Sequence, residues 1–507
     1  MRTDIFGQDV SLARFAGRRM IYSDVAEITK DNIVSELQKA IPVYDHNVSQ
    51  ISYLWRYYRG EQPILARVKE VRPEICNRIV ENHAQQIVAF KVGYQLNEPV
   101  QYIARESEWE GDHEKMETAL SDKVADINTS MFAKNKESLD HDLFTWLCIG
   151  GIGYRLTLPK KTEKQNYLED CYDIYTIDPR GAFVVYSSDF RREPLMGVIV
   201  NVNPDTYERT FSVYTTNKFF RVVGDKVVEE SGHIIGAIPL VEYQLNSERM
   251  GVFEPVLDIL DEINNIESNR MDDIEQNVQS LMKFVNCDID EEKYEQMLAR
   301  GAVKVVTIDG VQGDVEILSS NLDQSNTQTN KEDKISQMCS IVGMPYTSDK
   351  GSSTSDTGTA VMLRDGWTMA ETHAKGYELQ WKKSERQMLN IVLNICNASP
   401  KCAIDLRVSD IDLSFNRRNY DNPLVKAQVL TTMLNENQID PLLAFQSCGL
   451  FTDPQAAYLQ STAHYEQVLQ RQQEQFEQTQ QRQDKGDGVD DSNGQSEVNK
   501  ALAEVQK

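Results

Sequence analysis

The sequence predicts an α+β fold, and two changes in the hydrophobic pattern carry that prediction. Apolar residues recur at helical spacing before about residue 90 and again from residue 251, whereas between about 147 and 245 the period changes to two. Hydrophobic residues make up 40% of the 507 positions, which is enough for sizeable cores and excludes global disorder. At about 150 residues per domain, the length corresponds to roughly three packed regions.

The first 90 residues are predicted to be mostly helical. One helix is expected to begin near Ile33, with Asp31 as its N-cap and Pro42 closing it. A second apolar run extends from Ile75 to Val88, and Gly93 is expected to stop that helix.

Five short runs of β-branched and aromatic residues then predict an antiparallel sheet. They begin at Tyr154, Ala182, Met196, Phe211 and Ile238 and are separated by turn clusters. The glycines at 150–153 lack the spacing of a dinucleotide-binding loop, so we interpret them as a bulge or a close backbone approach.

The segment 254–282 is predicted to form one long amphipathic helix. Apolar residues lie on one side of its helical wheel, and acidic residues cluster on the other. These acidic residues are Glu254, Asp258, Asp261, Glu262, Asp272 and Asp273. The first side is suited to a protein partner, whereas the second forms a stripe of negative charge.

A small insertion is expected next, with a strand at 284–289, a short helix at 290–300 and two strands, 302–308 and 311–318, joined at Asp309 and Gly310. A helix at 331–342 ends at Pro345, and the Ser- and Thr-rich stretch 346–358 has the composition of a loop. Another long helix is predicted at 359–396.

The C-terminal part is predicted to contain a strand at 404–415, short helices over 421–467, and then a Gln-rich and acidic tail. We expect this tail to be disordered or only partly helical.

The charge balance restricts the function classes. Lys and Arg number 53 against 78 Asp and Glu, a net charge of -25, which argues against a protein that grips DNA by neutralising many phosphates. The sequence has no P-loop, no zincin motif and no nucleophile elbow. The E-x-K pattern at Glu291 to Lys293 is too short to indicate a nuclease.

The eight cysteines are scattered without metal-ligand spacing, and we expect reduced core thiols, no metal and no cofactor. No leader sequence or membrane span is predicted. The aromatic and basic residues from Trp55 to Arg59 are typical of nucleic-acid surfaces, although packing or a contact between subunits explains them better.

The order of the predicted helices, sheet and insertion, together with three local segments, resembles the portal (head-to-tail connector) proteins of tailed bacteriophages. The resemblance is to the group typified by siphophages of Gram-positive hosts. The first runs from Asn77 to Ala84 and on to Gly93–Val100, with Asn97 where the family usually has Gly. The others are 183–195 and 413–423, and the resemblance covers roughly residues 45 to 465.

The resemblance implies a portal fold with a wing, a long-helix stem, a small α/β clip and a helical crown, assembled as a ring. Carried onto this chain, the parts are an N-terminal region and wing at 1–250, a stem helix at 251–282, a clip at 283–323, a second stem helix at 324–344, a tunnel loop at 345–358, a long wing helix and strand at 359–420, a crown at 421–470 and a disordered tail at 471–507.

The resemblance also implies a function without catalysis. A ring of about 12 copies at one capsid vertex would be the channel for DNA packaging and ejection, and it would dock the terminase large subunit and head-tail adaptor proteins. The major capsid or scaffold protein and the passing double-stranded DNA are further implied partners, and no membrane is involved. Such a protein would be assembled in the host cytoplasm and would reside in the virion. Another ring-forming virion or tail protein, or a metal-dependent DNA-processing enzyme, are the alternatives.

In such a ring the acidic stripe would line the channel and discourage phosphates from sticking. The suspected lining residues are Glu254, Asp258, Asp261, Glu262, Asp272 and Lys350. The expected tunnel loop contains Thr347, Ser348, Asp349, Gly351 and Ser352. Lys350 is a candidate for a transient phosphate contact, with a plain solvated lysine as the alternative.

Overall fold

The computed structural model has mixed helix and sheet, which confirms the α+β class. It describes residues 17–105, 113–160, 167–278, 281–285, 307–308, 311–312, 314–318, 324–346, 366–400, 402–415, 417, 423–436, 438–451 and 454–483. The chain divides into two compact units, Met1–Asp421 and Asn422–Lys507.

Helix α1 spans Ile33–Tyr58 and contains Pro42, so the prediction that Pro42 ends it was wrong. A proline inside a helix removes one backbone hydrogen bond and costs about 3 kcal/mol. Burial of the apolar face of α1 on both sides of Pro42, from Ile33 to Leu54, offsets that cost.

Helix α2 spans His83–Gln95, so the helix predicted from Ile75 begins later than expected. Helices α3 (His113–Ala133) and α4 (Lys136–Gly150) follow it.

The larger sheet has six strands in the order β1-β5-β6-β7-β8-β9, in which β1 pairs with β5 in parallel and the other neighbours are antiparallel. Its strands are β1 (Ile21–Ser23), β5 (Ala182–Ser187), β6 (Pro194–Val202), β7 (Arg209–Tyr214), β8 (Lys218–Val223) and β9 (Lys226–Gly232). The first half of α1 packs on this sheet, where Leu37 and Tyr44 share a core with Phe183 and Phe220.

A second core lies around a three-stranded sheet of order β10-β3-β4, made of β3 (Ile152–Pro159), β4 (Tyr172–Ile177) and β10 (Leu240–Gln244). The buried ring of Trp381 packs here against Phe144 and Tyr243. The strand predicted at 404–415 is shorter, since only β15 (Ile411–Ser414) is extended, and it pairs with β2 (Gln101–Ala104).

Gly151 ends α4 at a φ of 77°, and its N–H donates to the Leu147 carbonyl at 2.8 Å. A Cβ at this position would lie 2.3 Å from the carbonyl oxygen of Arg249. The interpretation of the glycine cluster as a close backbone approach is therefore confirmed at Gly151.

The predicted stem helix is shorter than expected. A 3-10 turn, Glu254–Val256, leads into α5 (Leu257–Val278), and Leu281–Val285 is strand β11, so Met282 is not helical. Strand β11 pairs with β14 (Asp314–Leu318), and β12 (Thr307–Ile308) pairs with β13 (Val311–Gln312). Pairing of Ile308 with Val311 agrees with the predicted hairpin, whereas its turn and the helix predicted at 290–300 lie outside the described residues.

Helix α6 spans Ser325–Val342 and α7 spans Trp367–Asn397. Gly366, with a left-handed φ of 85°, precedes α7, so the long helix predicted from 359 begins later than expected. Cys171 and Cys402 form a disulfide, which corrects the expectation that all cysteines are reduced. Four other cysteines are buried free thiols and Cys76 is half-buried, while Cys287 lies outside the described residues.

The second unit contains α8 (Pro423–Leu434), α9 (Pro441–Cys448) and α10 (Pro454–Gln483). The Phe445 ring packs on Phe451 and Tyr458, which joins α9 to α10. Helix α10 continues into the tail predicted to be disordered from residue 471, because glutamine is a good helix former and the next glycine is Gly486. No helix among the described residues is long and apolar enough to cross a membrane.

Candidate channel-lining helix and its anchorage

Helix α5 has one buried side and one exposed side. Leu260, Ile263 and Ile266 are buried in the core. The described exposed positions are Asp258, Glu262, Asn269, Met271, Asp273 and Gln276, which include three carboxylates and no cation. The exposed side of α5 is therefore an acidic surface, which we define by Asp258, Glu262 and Asp273.

The buried side of α5 carries a ladder of polar side chains that holds an extended segment of the chain. Asn264 Oδ1 accepts the N–H of Glu81 at 2.8 Å, and Ser268 Oγ accepts the N–H of Ile79 at 3.0 Å. Asp272 Oδ1 accepts the N–H of Asn77 at 2.7 Å. Steps of four residues along a helix rise about 6 Å, close to the roughly 6.6 Å of two extended residues, so the two spacings match.

Asp272 was expected on the outer acidic stripe, and the structure places it inside. The carboxylate is buried, lies 3.1 Å from the Arg67 guanidinium and 2.9 Å from Lys69 Nζ, and accepts the Asn77 side-chain amide at 3.0 Å. Burial by itself raises the pKa of Asp272, but these donors and cations outweigh it and hold the pKa below its ordinary value. Asp272 is an anchor of α5 and not part of its exposed surface.

Glu254 is the second correction to the expected stripe. It is buried in an ion pair with Arg18, whose backbone N–H donates to the Arg249 carbonyl at 3.0 Å. Burial raises the pKa of Glu254, and the Arg18 charge opposes that rise. The pair attaches the start of the stem to the N-terminal segment.

Of the remaining expected lining residues, the structure describes Asp258, Asp261 and Glu262 but not Lys350. Asp258 and Glu262 are exposed, whereas Asp261 is half-buried and accepts the Tyr57 hydroxyl at 2.8 Å. Lys350 and the tunnel-loop residues Thr347, Ser348, Asp349, Gly351 and Ser352 lie outside the described residues. The contacts of Asn264 and Ser268 were missed, although their polar positions at a spacing of four on a buried side were a usable signal.

Polar contacts join α5 to α6 along their length. The Arg270 guanidinium donates to Gln324 at 2.9 Å and to Gln328 at 3.0 Å. Lys331 Nζ donates to Glu267 at 2.8 Å and also pairs with Glu81. The two helices and the segment 77–81 therefore form one connected unit.

The end of α6 is tied to α2 by a buried lysine. Lys91 Nζ donates to the carbonyl of Gly343, the left-handed residue that ends α6, at 3.0 Å. Burial lowers the pKa of Lys91 to about 8. A cation at a helix C-terminus complements the helix dipole, and this contact fixes the point where the chain leaves toward the predicted tunnel loop.

Comparison with protein families shows which family the chain belongs to. The model of the phage portal protein family, SPP1 Gp6-like, matches residues 37–485. The chain belongs to that family. No curated protein matches it.

Family membership makes this a phage portal protein, a head-to-tail connector of the virion that serves in DNA packaging. The family is structural and non-enzymatic, and it implies a ring oligomer that interacts with capsid, terminase and DNA. Within the described part of the portal protein, no group of three or more His, Cys, Asp or Glu side chains could hold a metal ion.

The aromatic and basic cluster at the end of α1 is used for packing in the portal protein. The Trp55 ring lies 4.7 Å from that of Trp146, and the Arg180 guanidinium lies within 5.7 Å of both rings. Tyr57 is buried, and only Arg56 and Arg59 of the cluster are exposed. These contacts support the packing interpretation over a nucleic-acid surface.

Proposed function

We propose that about 12 copies of this portal protein form a ring at one capsid vertex, with the acidic surface of α5 facing the central channel. The observation that carries this proposal is the two-sided construction of α5. Its inner side is occupied by the ladder to segment 77–81 and by core residues, so only the acidic surface is left for the channel.

The acidic surface fits a channel through which DNA must slide. Exposed carboxylates repel phosphates over a Debye length of about 8 Å at physiological salt, and a ring repeats that repulsion on every side of the duplex. The absence of cations from the described exposed positions of α5 leaves no point there at which a phosphate would be held. We therefore assign α5 the role of a non-adhesive channel wall.

We infer the roles of the other segments from family membership. The segment 283–323, which includes the β12–β13 hairpin, is the proposed clip that docks the terminase large subunit during packaging and the head-tail adaptor proteins afterwards. The terminase supplies ATP hydrolysis, since this chain has no P-loop. The tunnel loop 345–358 approaches DNA, with Lys350 as its phosphate contact, and the wing contacts the capsid or scaffold protein. Assembly takes place in the host cytoplasm.

Native mass spectrometry of the purified chain tests the ring. One chain has a mass of 57.9 kDa, so about 12 copies give a particle of roughly 0.7 MDa. A chain that stays monomeric or dimeric, both alone and with scaffold protein, would contradict the proposal.

A further inference from the structure

The turn between β5 and β6 displays an aromatic side chain to solvent. Phe190 is 94% exposed, the highest value among the described large hydrophobic residues. Arg191 and Arg192 follow it directly. An exposed aromatic residue beside arginines has the composition of an interface anchor.

Hydrogen bonds hold this turn in a fixed conformation. Asp189 Oδ1 accepts the Ser187 hydroxyl at 2.7 Å and the backbone N–H groups of Arg191 and Arg192 at 3.2 Å each. The Arg192 backbone is left-handed, with φ of 50°, and its guanidinium lies 5.9 Å from the centre of the Tyr22 ring on β1. The backbone that presents Phe190 is therefore ordered before binding, which lowers the entropy cost of a contact there.

The same unit contains a cleft of about 630 Å³ between the end of α2, β2, α3 and α4. Its apolar lining residues are Leu96, Pro99, Val100, Met131 and Phe132, and the other lining residues are polar or charged. Phe132 is itself 80% exposed, and exposed acidic residues at the rim include Glu98 and Glu137. A cavity of about 150 Å³ accepts a benzene ring, so this cleft has room for a phenylalanine side chain.

We propose that Phe190 of one copy inserts into this cleft of the next copy, with Arg192 facing Glu98 and Glu137. This inference rests on the proposed ring, because a ring needs a heterologous contact between two different surfaces of the same chain. The turn and the cleft share no residue, and the positive charge of Arg192 complements the negative charges of Glu98 and Glu137, whereas the Arg191 guanidinium already pairs with Asp189. Every copy therefore carries both surfaces, and the turn of a second copy is the proposed occupant of the cleft.

Cross-linking between two chains that each carry one introduced surface cysteine tests the contact. One chain carries Phe190→Cys and the other carries Phe132→Cys, both with Cys76→Ser and Cys287→Ser and with different affinity tags. We expect a mixed-tag, disulfide-linked dimer under mild oxidation. The control replaces Phe190→Cys with Tyr207→Cys, another 80% exposed aromatic position, and should give no mixed-tag dimer.

Assembly measurements provide a second readout. Phe190→Ala should raise the protein concentration at which half of the chains are assembled by about tenfold or more, whereas Tyr207→Ala should leave it unchanged. Equal cross-linking from the Tyr207→Cys chain, or unchanged assembly of Phe190→Ala, overturns the contact. A wild-type ring without the mixed-tag dimer overturns the contact and leaves the proposed function standing. Cross-linking without a wild-type ring supports the contact and overturns the ring.

Discussion

Asp272 and Asp273 are neighbours in sequence with opposite environments. Asp272 is buried against Arg67, Lys69 and the backbone of Asn77, whereas Asp273 is exposed. A carboxylate that accepts several hydrogen bonds from cations and N–H groups is stabilised in its charged form. The adjacent exposed aspartate provides a matched control.

Asp272→Asn should lower the stability of the chain by about 2 kcal/mol at pH 7, because it leaves two cations near a neutral amide. The lowered pKa of Asp272 means that its contribution is present above the unfolded pKa of about 3.9 and is lost as pH falls through the folded pKa. Urea unfolding at pH 7 and at pH 3 checks this. The difference from wild type should shrink at pH 3, and Asp273→Asn should show little effect at either pH.

Lys91 gives a second pH-dependent prediction, at higher pH. Burial lowers its pKa to about 8 from the ordinary 10.5, so between these pH values the unfolded chain binds a proton that the folded chain does not. Wild-type stability relative to Lys91→Met should therefore rise as pH increases from 8 to 10. Thermal unfolding of both chains across pH 7 to 10 measures this, and a constant difference would show that Lys91 titrates normally.

Helix α5 shows what the pattern of one element could and could not predict. Its apolar period predicted the helix and the acidic surface with Asp258 and Glu262. The wheel could not identify the ladder of Asn264, Ser268 and Asp272, because the partners of these residues lie nearly two hundred positions earlier in the chain. Glu254 was wrongly predicted to lie on the exposed acidic stripe for the same reason, because its partner Arg18 is also distant in sequence.

The acidic surface can be tested as a unit. Replacing Asp258, Glu262 and Asp273 together by Lys should leave folding and ring size intact but reduce packaged DNA by about tenfold, since each change adds a cation where phosphates pass. The control replaces Asp205, Glu208 and Glu248, which are exposed on other elements, and makes the same change in net charge. Equal packaging by both variants, in an assay with terminase and procapsids, would remove α5 from the channel wall.

The junction of α4 with β3 depends on Gly151. Gly151→Ala should destabilise the fold by about 2 kcal/mol or more, because the left-handed backbone and the 2.3 Å approach to the Arg249 carbonyl oxygen both exclude a Cβ. Gly93→Ala is the control, since that helical glycine has nothing within 4 Å and alanine there should stabilise the helix by about 0.5–1 kcal/mol. Similar melting temperatures for both variants would contradict this role.

For the whole molecule, the sequence predicted the α+β class and the family, because both depend on the order of parts and not on exact boundaries. Element ends were less predictable. Leu281 fits a helical period and a strand equally well, and Pro42 lies inside a helix whose packing overrides its local cost. The Cys171–Cys402 disulfide joins positions 231 residues apart, which no spacing rule could pair.

Electron cryomicroscopy of the assembled ring tests the central claim most directly. We expect about 12 copies around an axial hole, with Asp258, Glu262 and Asp273 of every copy facing that hole. A ring in which this side of α5 packs against a neighbouring copy, or faces outward, would contradict it.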